Sequence, residues 1–147
     1  MATFYMKLGF NERIISEDGF YNILLNGEKV GFNLDLRLNY YRGFPLSSVE
    51  KLEVAIDGKV IPNNLILGEI NGRKFTVDQM REQYAEYWGI KTPMHLQVFN
   101  GGLSEGKHDV EVSLELKNPS MYFESGNYGI VDSSARKTLN VGKAREL

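Results

Sequence analysis

The sequence predicts an all-β protein, a single antiparallel β-sandwich of immunoglobulin-like type with one short helix near residues 77–88. Apolar residues recur at every second position over residues 30–40 and again over residues 108–116. This period is typical of strands that pack one face and expose the other. Three turn pairs, Asn26-Gly27, Asp57-Gly58 and Asn71-Gly72, separate strand-like runs and supply the positive φ angles of tight hairpins.

The strands follow from these patterns in chain order. We expect strands near residues 20–25, 30–40, 51–56, 65–70, 73–77, 94–99, 108–116 and 137–141. Alternation places one face of each long strand in a common core. The residues expected to share this core are Phe32, Leu34, Leu36, Leu38, Val110, Val112 and Leu114.

A helix is predicted after residue 76. Thr76 precedes Gln79 by three residues, which is the spacing of a capping box. The residues expected to share one helical face are Met80, Tyr84 and Tyr87. Gly89 would end the helix.

An aromatic cluster, Tyr84, Tyr87 and Trp88, lies at the end of this predicted helix. Two interpretations are open. The cluster packs against the core as part of an amphipathic helix, which we favour, or it forms a platform on which a sugar stacks.

Composition excludes several classes of protein. The chain has 147 residues with 42% hydrophobic residues and no cysteine, so a core can form without disulfides, and thiol or cysteine–metal chemistry is excluded. The formal charge is −2, without the basic surplus of nucleic-acid binders. Apolar runs are too short to span a membrane. We expect one domain over residues 1–147, located in the cytoplasm, with neither nucleic acid nor membrane as a partner.

The chain has only two histidines, His95 and His108. Hydrolytic triads and most metal sites draw on histidine, and no spacing links these two to a carboxylate pair. We therefore expect ordinary strand-end residues, no metal site and no catalytic residue in this chain.

The first candidate interface segment follows the longest predicted strand. It combines tyrosine and arginine, the residue types that dominate interface hot spots, with glycine and proline. The residues predicted to contact a partner are Asn39, Tyr40, Tyr41, Arg42, Phe44 and Pro45. The alternative is that these side chains close one end of the sandwich.

The second candidate segment is the connection over residues 118–135, which is long for a loop of a compact domain. It carries large apolar side chains, and an exposed apolar loop indicates a partner. The residues predicted to contact it are Met121, Tyr122, Phe123 and Tyr128. The alternative is an unrecognised extra strand.

Residues 36–50, LRLNYYRGFPLSSVE, resemble a signature of the small β-subunits of bacterial C-glycoside deglycosidases. Residues 54–58 and 102–112 resemble the same family in order and spacing. The likeness covers roughly residues 19–116.

The resemblance implies a two-subunit lyase. The larger α-subunit, similar to TIM-barrel sugar isomerases, would bind a divalent metal, usually manganese, and supply a histidine base. The small subunit would be a non-catalytic β-sandwich, and the substrate a flavonoid-type aryl C-glycoside oxidised at the sugar 3-position. No catalytic residue of the family carries over to this sequence. A carbohydrate-binding module and an immunoglobulin-like structural domain are the alternatives.

Overall fold

The computed structural model describes residues 4–7, 11–40, 42–122 and 128–147. Its strands are β1 Phe4–Lys7, β2 Ile15–Leu25, β3 Glu28–Leu36, β4 Phe44–Pro45, β5 Val49–Ile56, β6 Lys59–Val60, β7 Ile66–Ile70, β8 Arg73–Thr76, β9 Tyr87–Trp88, β10 Met94–Val98, β11 Lys107–Tyr122, β12 Tyr128–Asp132, β13 Ala135–Asn140 and β14 Gly142–Glu146. One α-helix, α1 Val77–Met80, and short 3₁₀ turns at Asn11–Arg13, Leu46–Ser48 and Asn63–Leu65 complete the described part. The all-β prediction is confirmed.

The strands form two large sheets and one small ribbon. The first sheet has the order β1-β12-β11-β5-β6, with β13 also pairing with β11, and the second has the order β14-β2-β3-β10-β7-β8. The ribbon pairs β4 with β9. Two of the pairings, β1 with β12 and β14 with β2, are parallel, which the prediction of a purely antiparallel sandwich did not include. Each joins an edge strand, β1 or β14, to a strand far away in the sequence, so no tight turn imposes an antiparallel course.

A single cluster of buried side chains joins the two sheets. On β3 and β10, Leu34 lies opposite Leu96 and Phe32 lies opposite Val98. On the other sheet, Leu114 of β11 lies opposite Leu52 of β5. All seven residues predicted to share a core belong to this cluster, so the predicted alternation gave the correct inward faces.

The predicted hairpin turns are also confirmed. Asn26 and Gly27 have φ angles of 52° and 81°, and the other two pairs have similar values. Each pair joins neighbouring antiparallel strands, β2 to β3, β5 to β6 and β7 to β8.

The helix is shorter than predicted. The capping box of Thr76 and Gln79 forms, but α1 ends at Met80. The chain then turns, and Tyr87–Trp88 becomes strand β9 rather than the end of a helix. The prediction of one short helix is confirmed, but the helix does not extend to Gly89, because pairing of β9 with β4 overrides the local helical pattern.

The predicted long connection over residues 118–135 is also wrong. Strand β11 continues to Tyr122, and β12 occupies Tyr128–Asp132 between β11 and β1. The open alternative, an extra strand, is what the structure has. Pairing on both sides of β12 satisfies its backbone groups. Ile130 and Val131 are buried, which explains apolar side chains that would be unusual in a loop.

Candidate partner interface

The two-stranded ribbon positions the first predicted interface segment. Phe44 lies opposite Trp88, and Pro45 lies opposite Tyr87. Phe44 and Trp88 point inward and are 1% and 0% exposed. The ring centroids of Tyr40 and Phe44 are 5.2 Å apart. The ribbon therefore has an inner face that belongs to the core and an outer face that carries Tyr87.

Hydrogen bonds fix the ribbon to its surroundings. The Leu46 amide donates to the Glu86 carbonyl over 2.7 Å, and the Trp88 indole donates to the Thr92 carbonyl over 2.9 Å. Bonds at both ends of the ribbon restrict its movement, so the side chains on its outer face are held in defined positions.

The Glu86 side chain ties the ribbon to the neighbouring sheet. Asn71 Nδ2 donates to Glu86 Oε2 over 2.8 Å, and Arg73 Nη1 donates to Glu86 Oε1 over 2.9 Å. Both hydrogen bonds lower the pKa of the Glu86 carboxyl, and the bond from Asn71 has the larger effect. A buried carboxylate with two donors is a well-satisfied anchor.

Tyr87 on the outer face of the ribbon and Tyr84, three residues before it, are both exposed. Tyr84 is 78% exposed and Tyr87 is 53% exposed. The ring of Tyr87 covers Gly43, where an added Cβ would lie 2.8 Å from the ring. Trp88 faces the core instead, so the interpretation of Tyr84, Tyr87 and Trp88 as one packed helical cluster is wrong, and a sugar platform would lack Trp88.

The structure places the predicted contact residues in different environments. Tyr40 and Phe44 are buried within this chain. Asn39 and Pro45 are half-buried, and Arg42 is exposed. Met121 and Tyr122 end β11, and Tyr128 begins β12. Tyr41 and Phe123 lie outside the described residues. The assignment of these ten residues to an interface stays a prediction.

Residues of the two predicted segments are in contact. The Asn118 side chain on β11 donates to the Tyr40 hydroxyl over 3.1 Å. The Ser133 hydroxyl donates to Asn39 Oδ1 over 3.2 Å. Segments about 80–90 residues apart in sequence are therefore neighbours in the fold, and one partner surface could contact both.

The two histidines lie on different sheets, and each is paired with an aspartate. His108 Nδ1 lies 2.7 Å from Asp57 Oδ2, and its Nε2 lies 2.7 Å from the Ser104 carbonyl oxygen. Burial lowers the pKa of His108, but the hydrogen bonds to Ser104 and Asp57 outweigh it, so the pKa is raised. His108 thus holds a turn of the first sheet.

His95 occupies the outer face of the second sheet. Its Nδ1 lies 2.5 Å from Asp35 Oδ1, and the buried Asn33 amide donates to the same Asp35 oxygen over 2.8 Å. Sequence reasoning missed both histidine–aspartate pairs because each joins residues more than 50 positions apart. Among the described residues, no group of three or more histidine, aspartate or glutamate side chains could hold a metal ion.

No helix in the described part of the chain is long and apolar enough to cross a membrane.

Comparison with known proteins identifies the class to which this fold belongs. Residues 10–120 match the family described as C-glycoside deglycosidase beta subunit. The chain belongs to this family, as its resemblance to the family's signature predicted.

Named relatives agree with this assignment. The chain is 36% identical over 102 residues to a C-glycoside deglycosidase beta subunit of Eubacterium cellulosolvens, covering 68% of this chain and 69% of that protein. It is 31% identical over 109 residues to a protein of the same name from Microbacterium trichothecenolyticum, covering 72% and 81%. It is 26% identical over 110 residues to a 3'-dehydrocarminate deglycosidase beta subunit of a Microbacterium species, covering 75% and 80%. The term beta subunit implies that each relative works with another subunit.

Proposed function

We propose that this chain is the non-catalytic β-subunit of a C-glycoside deglycosidase. The observation that carries the proposal is the family match, which spans the two sheets and the ribbon. The positions of the histidines support the non-catalytic role. They lie on different sheets, each bound to its own aspartate, so they do not converge on one reacting atom.

The proposed reaction breaks the bond between C1 of a 3-oxo sugar and an aryl carbon. The 3-keto group acidifies the C2 proton, and a base removes it. A C1–C2 double bond forms as the C1–aryl bond breaks, and the aryl carbon leaves with the electron pair and is protonated. One relative is named for a 3'-dehydro substrate, which fits this chemistry, and flavonoid-type aryl C-glycosides are the substrates we propose.

The proposed partner is a larger TIM-barrel α-subunit. It would hold a divalent metal, manganese, which stabilises the enolate, and it would supply the base. This chain would stabilise that subunit and help to shape the rim of its active site. Asn39, Arg42 and Pro45 are the contact residues among the predicted set whose side chains are at least partly accessible in the described structure. We propose the cytoplasm as the location of the complex.

Reconstitution from separately purified chains tests the proposal. Neither this chain nor its α-subunit should cleave a 3-oxo-C-glycoside well alone, and mixing them should restore cleavage. Turnover by this chain alone, with added metal, would contradict the non-catalytic role. Failure of the two chains to associate would contradict the role as a subunit.

Metal analysis tests the division of labour. The complex should contain a divalent ion, and a variant with His95→Gln and His108→Gln should retain the same metal content. Thermal melts of the variant provide the control for folding. Loss of the ion from a folded variant would assign a metal-binding role to this chain.

A further inference from the structure

We infer that the exposed side chains of Tyr87 on the β4–β9 ribbon, and of Tyr84 and Ile90 on either side of β9, form the docking surface for the other subunit. This inference rests on the proposed function and assigns a surface to it. It differs from the sequence-based prediction, in which Tyr84 and Tyr87 packed in a helix and Phe44 was a contact residue.

Exposed apolar side chains are concentrated within residues 84–90. The described residues include six large hydrophobic side chains that are exposed, namely Leu25, Val60, Tyr84, Tyr87, Ile90 and Leu147. Three of the six fall within residues 84–90. Single exposed apolar side chains are normal, but contiguous ones mark interaction sites.

The surroundings of Tyr87 hold its side chain in a defined position. The Tyr87 ring rests on Gly43, the neighbouring Glu86 is held by Asn71 and Arg73, and Trp88 is anchored in the core. A surface whose side chains are already ordered loses less conformational freedom when it binds. Tyrosine on a fixed backbone is also the type of residue enriched at hot spots.

The shape and area of the exposed tyrosine surface favour a protein over a small ligand as its binding partner. Sites for small ligands are concave and enclose most of the ligand, whereas Tyr84 is 78% exposed. A large aromatic side chain carries roughly 150–250 Å², so the exposed parts of Tyr84 and Tyr87 amount to about 200–330 Å². A stable interface takes about 800 Å² from each partner, with an apolar centre and a polar rim. The tyrosines supply part of such a centre, and the accessible side chains of Arg42 and Pro45 lie on the adjoining strand segment.

Exposed charges close to these side chains in sequence are mostly positive. Within residues 81–91, Arg81 and Lys91 are exposed against one exposed acid, Glu82, and Arg42 is exposed just before β4. Positive charge next to an aromatic centre fits a partner surface that is acidic next to an apolar patch. Such complementarity predicts association that slows as ionic strength rises.

Binding of the purified α-subunit to this chain tests the surface. The double variant Tyr84→Ser, Tyr87→Ser should raise the Kd by at least about tenfold. The matched controls Leu25→Ser and Val60→Ser remove exposed apolar side chains at the β2–β3 and β5–β6 hairpins and should leave the Kd within about twofold. If the double variant unfolds, the single variant Tyr84→Ser is measured in its place. Tyr84 is mostly exposed to solvent, so this variant should stay folded.

The outcomes are distinct. If the unmodified chain binds and the tyrosine variants bind equally well, the surface is wrong while the proposed function stands. If the unmodified chain does not bind the α-subunit, the proposed function fails, and the surface assignment fails with it. If methyl glucoside alone shifts the NMR resonances of Tyr84 and Tyr87 at millimolar concentration, the face is a sugar platform and the inference is overturned.

Discussion

Replacing Phe44 with alanine should destabilise the chain itself rather than its association with a partner. The Phe44 side chain is 1% exposed, contacts the Tyr40 ring and lies opposite Trp88 in the ribbon. Truncating a buried phenylalanine costs about 3–5 kcal/mol, through lost transfer free energy and the cavity left behind. Against a typical stability of 5–15 kcal/mol, this loss is large.

Urea denaturation of the isolated chain measures the effect. The midpoint should fall with little change in slope, since the surface exposed on unfolding is nearly unchanged. Tyr87→Ala, on the exposed face of the same ribbon, is the matched control and should change the free energy of unfolding by less than about 1 kcal/mol. A Phe44→Ala chain that keeps its stability but loses the α-subunit would refute this reasoning and restore Phe44 as an interface anchor.

Three further predictions concern the core, a glycine and a histidine. Leu36→Ala, at a fully buried position of β3, should cost about 2–5 kcal/mol in urea denaturation, and a loss below about half a kcal/mol would contradict the strand register. Gly31→Ala should cost about 1–3 kcal/mol, because its Cβ would meet the Val98 carbonyl oxygen; an unchanged thermal midpoint would show that the backbone yields. Because the pKa of His108 is raised in the folded state, its contribution to stability is complete below pH 6.5 and is lost as the pH rises through the folded pKa. Asp57→Asn should flatten this dependence in urea midpoints measured between pH 5.5 and 8.5, and parallel profiles for the two proteins would contradict it.

The sequence determined the parts of the fold whose signals are local. Alternation over residues 30–40 identified the inward face of β3, because a strand sends every second side chain to the same side. Asn26-Gly27 marked its hairpin, because few other residues accept two positive φ angles in succession. Thr76 and Gln79 identified the start of α1, since a capping box involves only neighbouring residues.

The errors arose where distant pairing decides the structure. Residues 81–88 look helical in isolation, yet Trp88 is drawn into the core by Phe44, which lies more than 40 positions earlier. The pairing of β12 with β1, from the N-terminal part of the chain, is likewise distant in sequence. The pairing of β12 with β11 is local, since Tyr122 lies opposite Tyr128, but no Asn-Gly or Asp-Gly pair marks the connection between these two strands.

The same cause explains why the sequence alone did not separate core from surface side chains in the first candidate segment. Composition identified residues 39–45 as unusual but gave no means of separating Phe44, which packs inward, from its neighbour Arg42, which is exposed. That separation depends on which face of β4 meets Trp88, and it simultaneously turns Tyr87 outward. The pairing of β4 with β9 therefore determines which of these aromatic side chains are buried, Phe44 and Trp88, and which is exposed, Tyr87. Because the two roles belong to side chains on opposite faces, truncation of Phe44 should lower the stability of the chain, whereas truncation of Tyr87 should weaken subunit association with little loss of stability.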